Sequence, residues 1–333
     1  MTEGTLIVGV CKQFDDGCQP HLKRLMHSFD VEFVEFDSPS KITESLLDGE
    51  IDLAGISGLS AYDLGFYANN TYSGLEISAF LPRRDPTFIL ASKKHLDFLP
   101  RKSKIFAEHE LVIRQLKRYR KDLDYIKKSD LNLEEFNGFE LLEKLNQLYI
   151  NQEIEGYILE RSEWNFLGEK GRRHSLGMQI ENKESRQRFI PPPLRGFSLL
   201  ISRQGFPSSI FEEISDESSM ISYRVESKLF SELKNNELLG IHVHIRRIST
   251  IMKSLNDEGG LTSDIFDEKL ESMEKREDFI EKPTRMIEII IETLNESGNI
   301  TFSLEKKYLP MDDEFKILTI FIEEWKKIIE LSE

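Results

Sequence analysis

The order of apolar and polar positions along the chain alternates between short β-branched runs and helical periodicity. Thr5–Val10 (TLIVGV) has the pattern of a buried strand. Gln19–Ser28 follows as a helix, with Leu22, Leu25 and Met26 at i, i+3 and i+4. Val31–Phe36 predicts a second strand, ended by the turn material Asp37-Ser38-Pro39-Ser40. The next helix, Lys41–Asp48, stops at Gly49, and Ile51–Ile56 predicts a third strand. Leu75–Phe80 and Thr87–Ala91 add two more. Strands and helices spaced this tightly imply a parallel, helix-covered sheet.

Further on, the pattern predicts helices over Glu110–Leu123 and Phe139–Ile150, then a strand over Gly156–Leu159. This unit reads as a second, smaller α/β domain. Pro191-Pro192-Pro193 and Gly196 lead into a buried-type strand, Phe197–Ser202, followed by a long helix, Ile214–Leu233. Ile241–Ile248 alternates histidine with apolar residues as a strand does. The end of the chain predicts helices at Arg285–Asn295 and Phe315–Leu331, with a strand at Asn299–Leu304 between them.

Charge narrows the function classes. The chain has 333 residues, with 44 Lys+Arg against 59 Asp+Glu and a net charge of −15, which argues against nucleic acid as a partner. No apolar run approaches the roughly 20 residues of a membrane span. Met1–Cys18 lacks the basic and apolar regions of a signal peptide, so the expected location is cytoplasmic. Arg101–Lys128 is locally basic. Its predicted helix carries Arg114, Lys117, Arg118 and Lys121 on one side, either as a solvated face or as an anion-binding one.

Five segments, in order, resemble hydroxymethylbilane synthase (porphobilinogen deaminase). Leu47–Ile56 (LDGEIDLAGI) is similar to that family's run into its catalytic loop. Gly74–Ser92, with Arg83-Arg84-Asp85-Pro86 at the turn, resembles its strand, Arg-Glu-Asp-Pro turn and strand. Gln115–Leu123 (QLKRYRKDL) is similar to the end of the helix that follows the family's paired arginines. Phe189–Arg203 resembles the return to the first domain. Ser218–Leu233, with Val225-Glu226-Ser227, resembles the Ala-Glu-Arg helix. The similarity covers about residues 4–235.

The resemblance implies an α/β protein with two lobes of the periplasmic-binding-protein type II kind around a cleft, plus a C-terminal α/β domain. The expected boundaries are 1–98 with 195–215 for the first lobe, 99–194 for the second and 216–333 for the third unit. Family enzymes join porphobilinogen units on a dipyrromethane cofactor held by a cysteine thioether. A cleft aspartate stabilises pyrrole cations, and arginines with a lysine grip the carboxylate side chains.

The residues of this chain depart from each of these parts. Glu237 stands near the cofactor cysteine's place, and a carboxylate cannot form a stable thioether. Leu59 and Ser60 stand where the resemblance places lysine and the catalytic aspartate, and a hydroxyl does not relay protons near neutral pH. Glu108 and Glu110 replace the small residues that open the anion-binding helix. Glu140 and Leu141 stand near a further arginine position.

The expectation is therefore a non-polymerising binding scaffold with no catalytic residue, no cofactor and no metal. It would hold a small anionic or pyrrole-like ligand through Lys12, Gln13, Ser57, Ser60, Arg83, Arg84 and Arg195. One alternative is an active enzyme with its cofactor moved to Cys11 or Cys18 and Asp63 as acid/base. Another is a protein-interaction module acting through the acidic C-terminal region. His242 and His244 share one strand face but have no third metal ligand nearby in sequence.

Overall fold

β1 (Leu6–Cys11) pairs in parallel with both β2 (Val31–Phe36) and β3 (Leu53–Ser57). Helices α1 (Cys18–Leu25) and α2 (Pro39–Asp48) make the crossovers. Ser38 caps α2, Pro39 fixes its first turn and Gly49 closes it in the left-handed conformation. This is a computed structural model, and it describes residues 5–67, 71–166, 168, 171–177, 188–233, 238–247 and 285–330. After α3 (Gly58–Asp63), β4 (Thr71–Tyr72) and β5 (Leu75–Phe80) complete the first part of the chain in this sheet. β11 (Ser198–Arg203) returns from far along the sequence to lie antiparallel between β3 and β5. The strand order is β2-β1-β3-β11-β5-β4.

The second sheet repeats the scheme. β7 (Lys104–Phe106) pairs in parallel with β8 (Asp124–Ile126) and β9 (Gly156–Glu160). β6 (Phe88–Ala91) lies antiparallel to β9, with β10 (Arg173–Leu176) beyond it, so the order is β10-β6-β9-β7-β8. α4 (Glu110–Tyr119), α5 (Lys128–Leu131), α6 (Gly138–Ile150) and α7 (Arg161–Phe166) accompany this sheet. In both sheets the core order is second, first, third, then one antiparallel strand at a chain crossing. That is the two-lobe α/β arrangement of type II periplasmic binding proteins. Because β6 belongs to the second sheet, the first crossing falls at residues 82–87 and not after 98.

The third unit packs α8 (Glu217–Leu233) and α9 (Glu314–Glu330) on one face of an antiparallel sheet. Its strands are β12 (Gly240–Arg247), β13 (Arg285–Leu294) and β14 (Thr301–Tyr308). Arg285–Leu294 is thus a strand where periodicity predicted a helix. Nine of its ten residues are buried, with Ile287, Ile289 and Ile291 on one face and Glu288 and Glu292 on the other; the two acids fall four apart, as on a helix, so the period-two signal is lost. Its second face meets α4. There Arg118 pairs with buried Glu292 at 2.8 Å, and Arg114 Nη1 donates to the Leu294 carbonyl at 2.8 Å. Arg114, Lys117 and Arg118 of the basic side dock the third unit, while Lys121 lies exposed beyond the helix end.

Two buried carboxylates bolt the hinge. Glu226 on α8 accepts from Arg83 Nη1 at 2.6 Å, from Leu194 N at 2.9 Å and from Val243 N at 2.8 Å. It therefore joins both interlobe crossings to β12. Asp16, in the β1–α1 loop, accepts from Gly196 N at 2.6 Å and from Ser162 Oγ of α7 at 3.0 Å, which ties lobe to lobe. Gly196 is fixed as glycine, since it has φ +84° and a Cβ there would lie 2.4 Å from the Arg84 carbonyl oxygen.

Candidate functional site

A cleft of about 860 Å³ lies at the carboxyl ends of β7 and β9, where open α/β sheets place ligands. Lobe 1 contributes Leu59, from the first turn of α3, and the third unit contributes Phe230 and Leu239. These three are apolar. Every charged group comes from lobe 2 or the return segment: Glu108, Glu110, Lys127, Lys128, Glu160, Glu163 and Arg195. Lobe 1 and the third unit thus add no charge, while lobe 2 mixes its charged groups with apolar ones such as Phe106, Val112 and Leu141.

Most of the ionic wall is internally paired. Lys127 Nζ donates to Glu110 at 2.6 Å, and Arg114 Nε donates to the same carboxylate at 2.9 Å. Burial pushes Glu110 up, but these hydrogen bonds outweigh it and hold the carboxyl below its usual range. Arg195 lies 3.4 Å from Glu160, and Lys128 Nζ donates to Asn137 Oδ1 at 3.0 Å. Glu163 has no ion pair among the described residues. Burial, reinforced by the charge of Glu160, pushes its carboxyl up to about 7.

The residues expected to line the cleft are dispersed. Lys12 and Gln13 are exposed past the end of β1 and line none of the cavities described. Ser57 and Ser60 are spent on the neighbouring loop: Ser57 N donates to Asp15 at 2.8 Å and Ser60 Oγ donates to its other oxygen at 2.7 Å. Arg83 turns to Glu226 and stacks 4.0 Å above the Phe197 ring, so it serves the hinge and not the cleft. Arg84 donates to the Asp16 carbonyl and to Ser198 Oγ, beside a smaller cavity of about 500 Å³ lined by Asp16, His21 and Ser162. Of the seven, Arg195 alone lines the main cleft.

Asp15 and Asp16 were missed in the sequence. Nothing in Phe14-Asp15-Asp16-Gly17 marks them as more than turn residues. Asp15 brings a carboxylate to Ser60, close to where the resemblance places an aspartate, but both its oxygens are engaged there. Glu163 was missed as well, because its neighbourhood is assembled from three separate stretches of chain.

Cys11 and Cys18 are both buried in lobe 1. Burial raises both thiols, Cys18 far above its ordinary range. Asp63 sits at the end of α3, outside the lining of the cleft, with its carboxyl raised by burial. Glu237, at the place of the cofactor cysteine, lies outside the described residues. His242 Nε2 and His244 Nδ1 are 3.4 Å apart, and burial holds both rings below the usual imidazole range. Among the described residues no group of three or more metal-binding side chains forms, and no helix is long and apolar enough to cross a membrane.

No protein-family profile and no curated protein sequence matches the chain. Among solved structures, an ABC transporter from Parabacteroides distasonis is 12% identical, covering 78% of this chain and 82% of that one at a TM-score of 0.36. The periplasmic aliphatic sulphonate binding protein of Escherichia coli is 13% identical, covering 85% and 80% at a TM-score of 0.29. A nutrient binding protein from Burkholderia cenocepacia, bound to methionine, is 11% identical, covering 63% and 96% at a TM-score of 0.33. Likenesses of this size do not bear on ligand or activity, and the fold rests on the strand orders described above.

Proposed function

We propose that this chain binds a small ligand in the cleft between its lobes, as a relative of hydroxymethylbilane synthase that no longer polymerises pyrroles. The observation that carries the binding reading is the cleft itself: about 860 Å³, set at strand ends of lobe 2 and closed by apolar groups of lobe 1 and the third unit. The ancestry is supported by the ordered segment matches of the sequence. It is also supported by the position of Glu226, which lies in the Val-Glu-Ser stretch and joins Arg83 of the turn that resembles the family's. Loss of polymerisation is supported by chemistry. A pyrrole chain needs a nucleophilic thiolate as anchor, and the two cysteines are buried in lobe 1 with raised pKa values. The same burial weighs against a relocated cofactor.

Intact-protein mass spectrometry before and after incubation with porphobilinogen tests the reading. The expected mass is that of the polypeptide in both samples. Added mass in pyrrole-sized steps overturns it.

A further inference from the structure

The charges that face the cleft indicate what class of ligand it takes. Four carboxylates (Glu108, Glu110, Glu160 and Glu163) meet three cations (Lys127, Lys128 and Arg195). Lys127 and Arg195 already hold a carboxylate, at 2.6 and 3.4 Å, and Lys128 holds an amide oxygen at 3.0 Å. The helix end that could bind an anion is occupied by acids: Glu110 sits in the first turn of α4, and Glu108 accepts from the Lys128 N–H at 3.1 Å. An incoming carboxylate or phosphate would meet cations that already hold acceptors, and an excess of like charge. Glu163 is half-buried and forms no ion pair among the described residues; Lys128 and Arg195 reach it only as more distant charges. The same cleft is lined by the apolar side chains of Leu59, Phe230 and Leu239.

We propose that the cleft takes an organic ammonium ion with an apolar body, the ammonium group on Glu163 and the body against Leu59, Phe230 and Leu239. This rests on the small-ligand reading above and reverses the sign of the ligand expected from the resemblance. A cation placed there restores the charge balance of the cleft, and the apolar body covers the lobe 1 and third-unit side chains, which carry no charge.

The test uses three probes of matched shape, phenethylamine, 2-phenylethanol and 3-phenylpropionate, titrated by calorimetry against the full chain, Glu163→Gln and Leu59→Trp. The expected order of affinity is amine, then alcohol, with the carboxylate weakest. Glu163→Gln lowers amine affinity by about tenfold and leaves the alcohol unchanged. In the wild type, amine affinity rises about tenfold from pH 6 to pH 8 as Glu163 loses its proton, since its carboxyl titrates at about 7. The groups that share its field are Glu160 on β9, Lys128 on α5 and Arg195 on the return segment. His109 lines the same cleft. The pH dependence disappears in Glu163→Gln, and a dependence that persists there belongs to another group and overturns the assignment to Glu163.

Equal or tighter binding of the carboxylate overturns the ammonium assignment while leaving the cleft reading intact. So does amine affinity that Glu163→Gln does not change. Failure of all three probes to bind, or binding that Leu59→Trp does not weaken, overturns the cleft reading as well.

Discussion

Glu226 concentrates more of the architecture than any other side chain described. It is fully buried, and its carboxylate receives two guanidinium contacts from Arg83 and two backbone N–H groups. Burial pushes its carboxyl up, and the charge and hydrogen bonds of Arg83 oppose that rise. Removing one partner of such a pair leaves the other charge buried and alone, at a cost of about 3–5 kcal/mol. Glu226→Ala is expected to lower stability by that amount in urea titration, while an exposed pair such as Lys41–Asp37 contributes far less. His21 gives a pH signature. Burial pushes its imidazole down to about 3 from 6.5, so between those values the unfolded chain binds a proton that the folded chain does not. Stability from this group is full above pH 6.5 and is lost as pH falls toward 3. His21→Asn, which keeps a polar group near Ser198 Oγ, is expected to show a shallower loss of stability between pH 6.5 and 4. An unchanged slope would show that other groups carry the acid sensitivity. Little of this was readable in the sequence. Glu226 lay in a segment similar to a known helix, but a residue's partners come from positions such as 83, 194 and 243 that only the fold brings together.

At the scale of elements, the docking of α4 against β13 explains two departures from expectation together. The basic side of α4 looked like a surface feature because surface charge and interface charge have the same spacing. The strand at Arg285–Leu294 looked helical because burial on both faces erased its alternation. Each covers the other. Gly298 lets them approach: it has φ +69°, and a Cβ there would lie 2.5 Å from the Arg114 carbonyl oxygen and 2.8 Å from Arg118 N. Gly298→Ala is expected to destabilise the chain by about 1–3 kcal/mol, with faster amide exchange in α4 and β13 and little change in lobe 1. Protection lost evenly over the whole chain would contradict a local docking role. Several elements were legible: Val31–Phe36, Gly138–Ile150 and Glu314–Glu330 by their periodicity, and Leu6–Cys11 and Leu53–Ser57 as short apolar runs bounded by turn residues. The three-residue strands β7 and β8 were too short to carry a period.

For the whole molecule, the third unit does more than extend the chain. It holds lobe 1 through Tyr223 and Ser227, whose hydroxyls donate to the Phe66 and Tyr67 carbonyls, both crossings through Glu226, and lobe 2 through Glu292, so the lobes are braced from outside the cleft as well as tied by Asp16 and Ser162. Opening the cleft by hinge rotation would have to break buried charge pairs. The two-lobe scaffold could be read from strand order and segment resemblance, whereas the cleft's contents could not. Of the seven residues expected there, Lys12 and Gln13 are exposed and Ser57, Ser60, Arg83 and Arg84 are used elsewhere, because an arginine or serine in a matching segment says nothing of which internal carboxylate reaches it first. The central claim is a cleft that holds a small molecule without a covalent bond. Native mass spectrometry of the protein purified without denaturation, set beside the denatured mass, tests it most directly. The expected result is an added mass under native conditions that vanishes on denaturation and is absent from Leu59→Trp. A bare polypeptide in both spectra, or an added mass that survives denaturation, would contradict it.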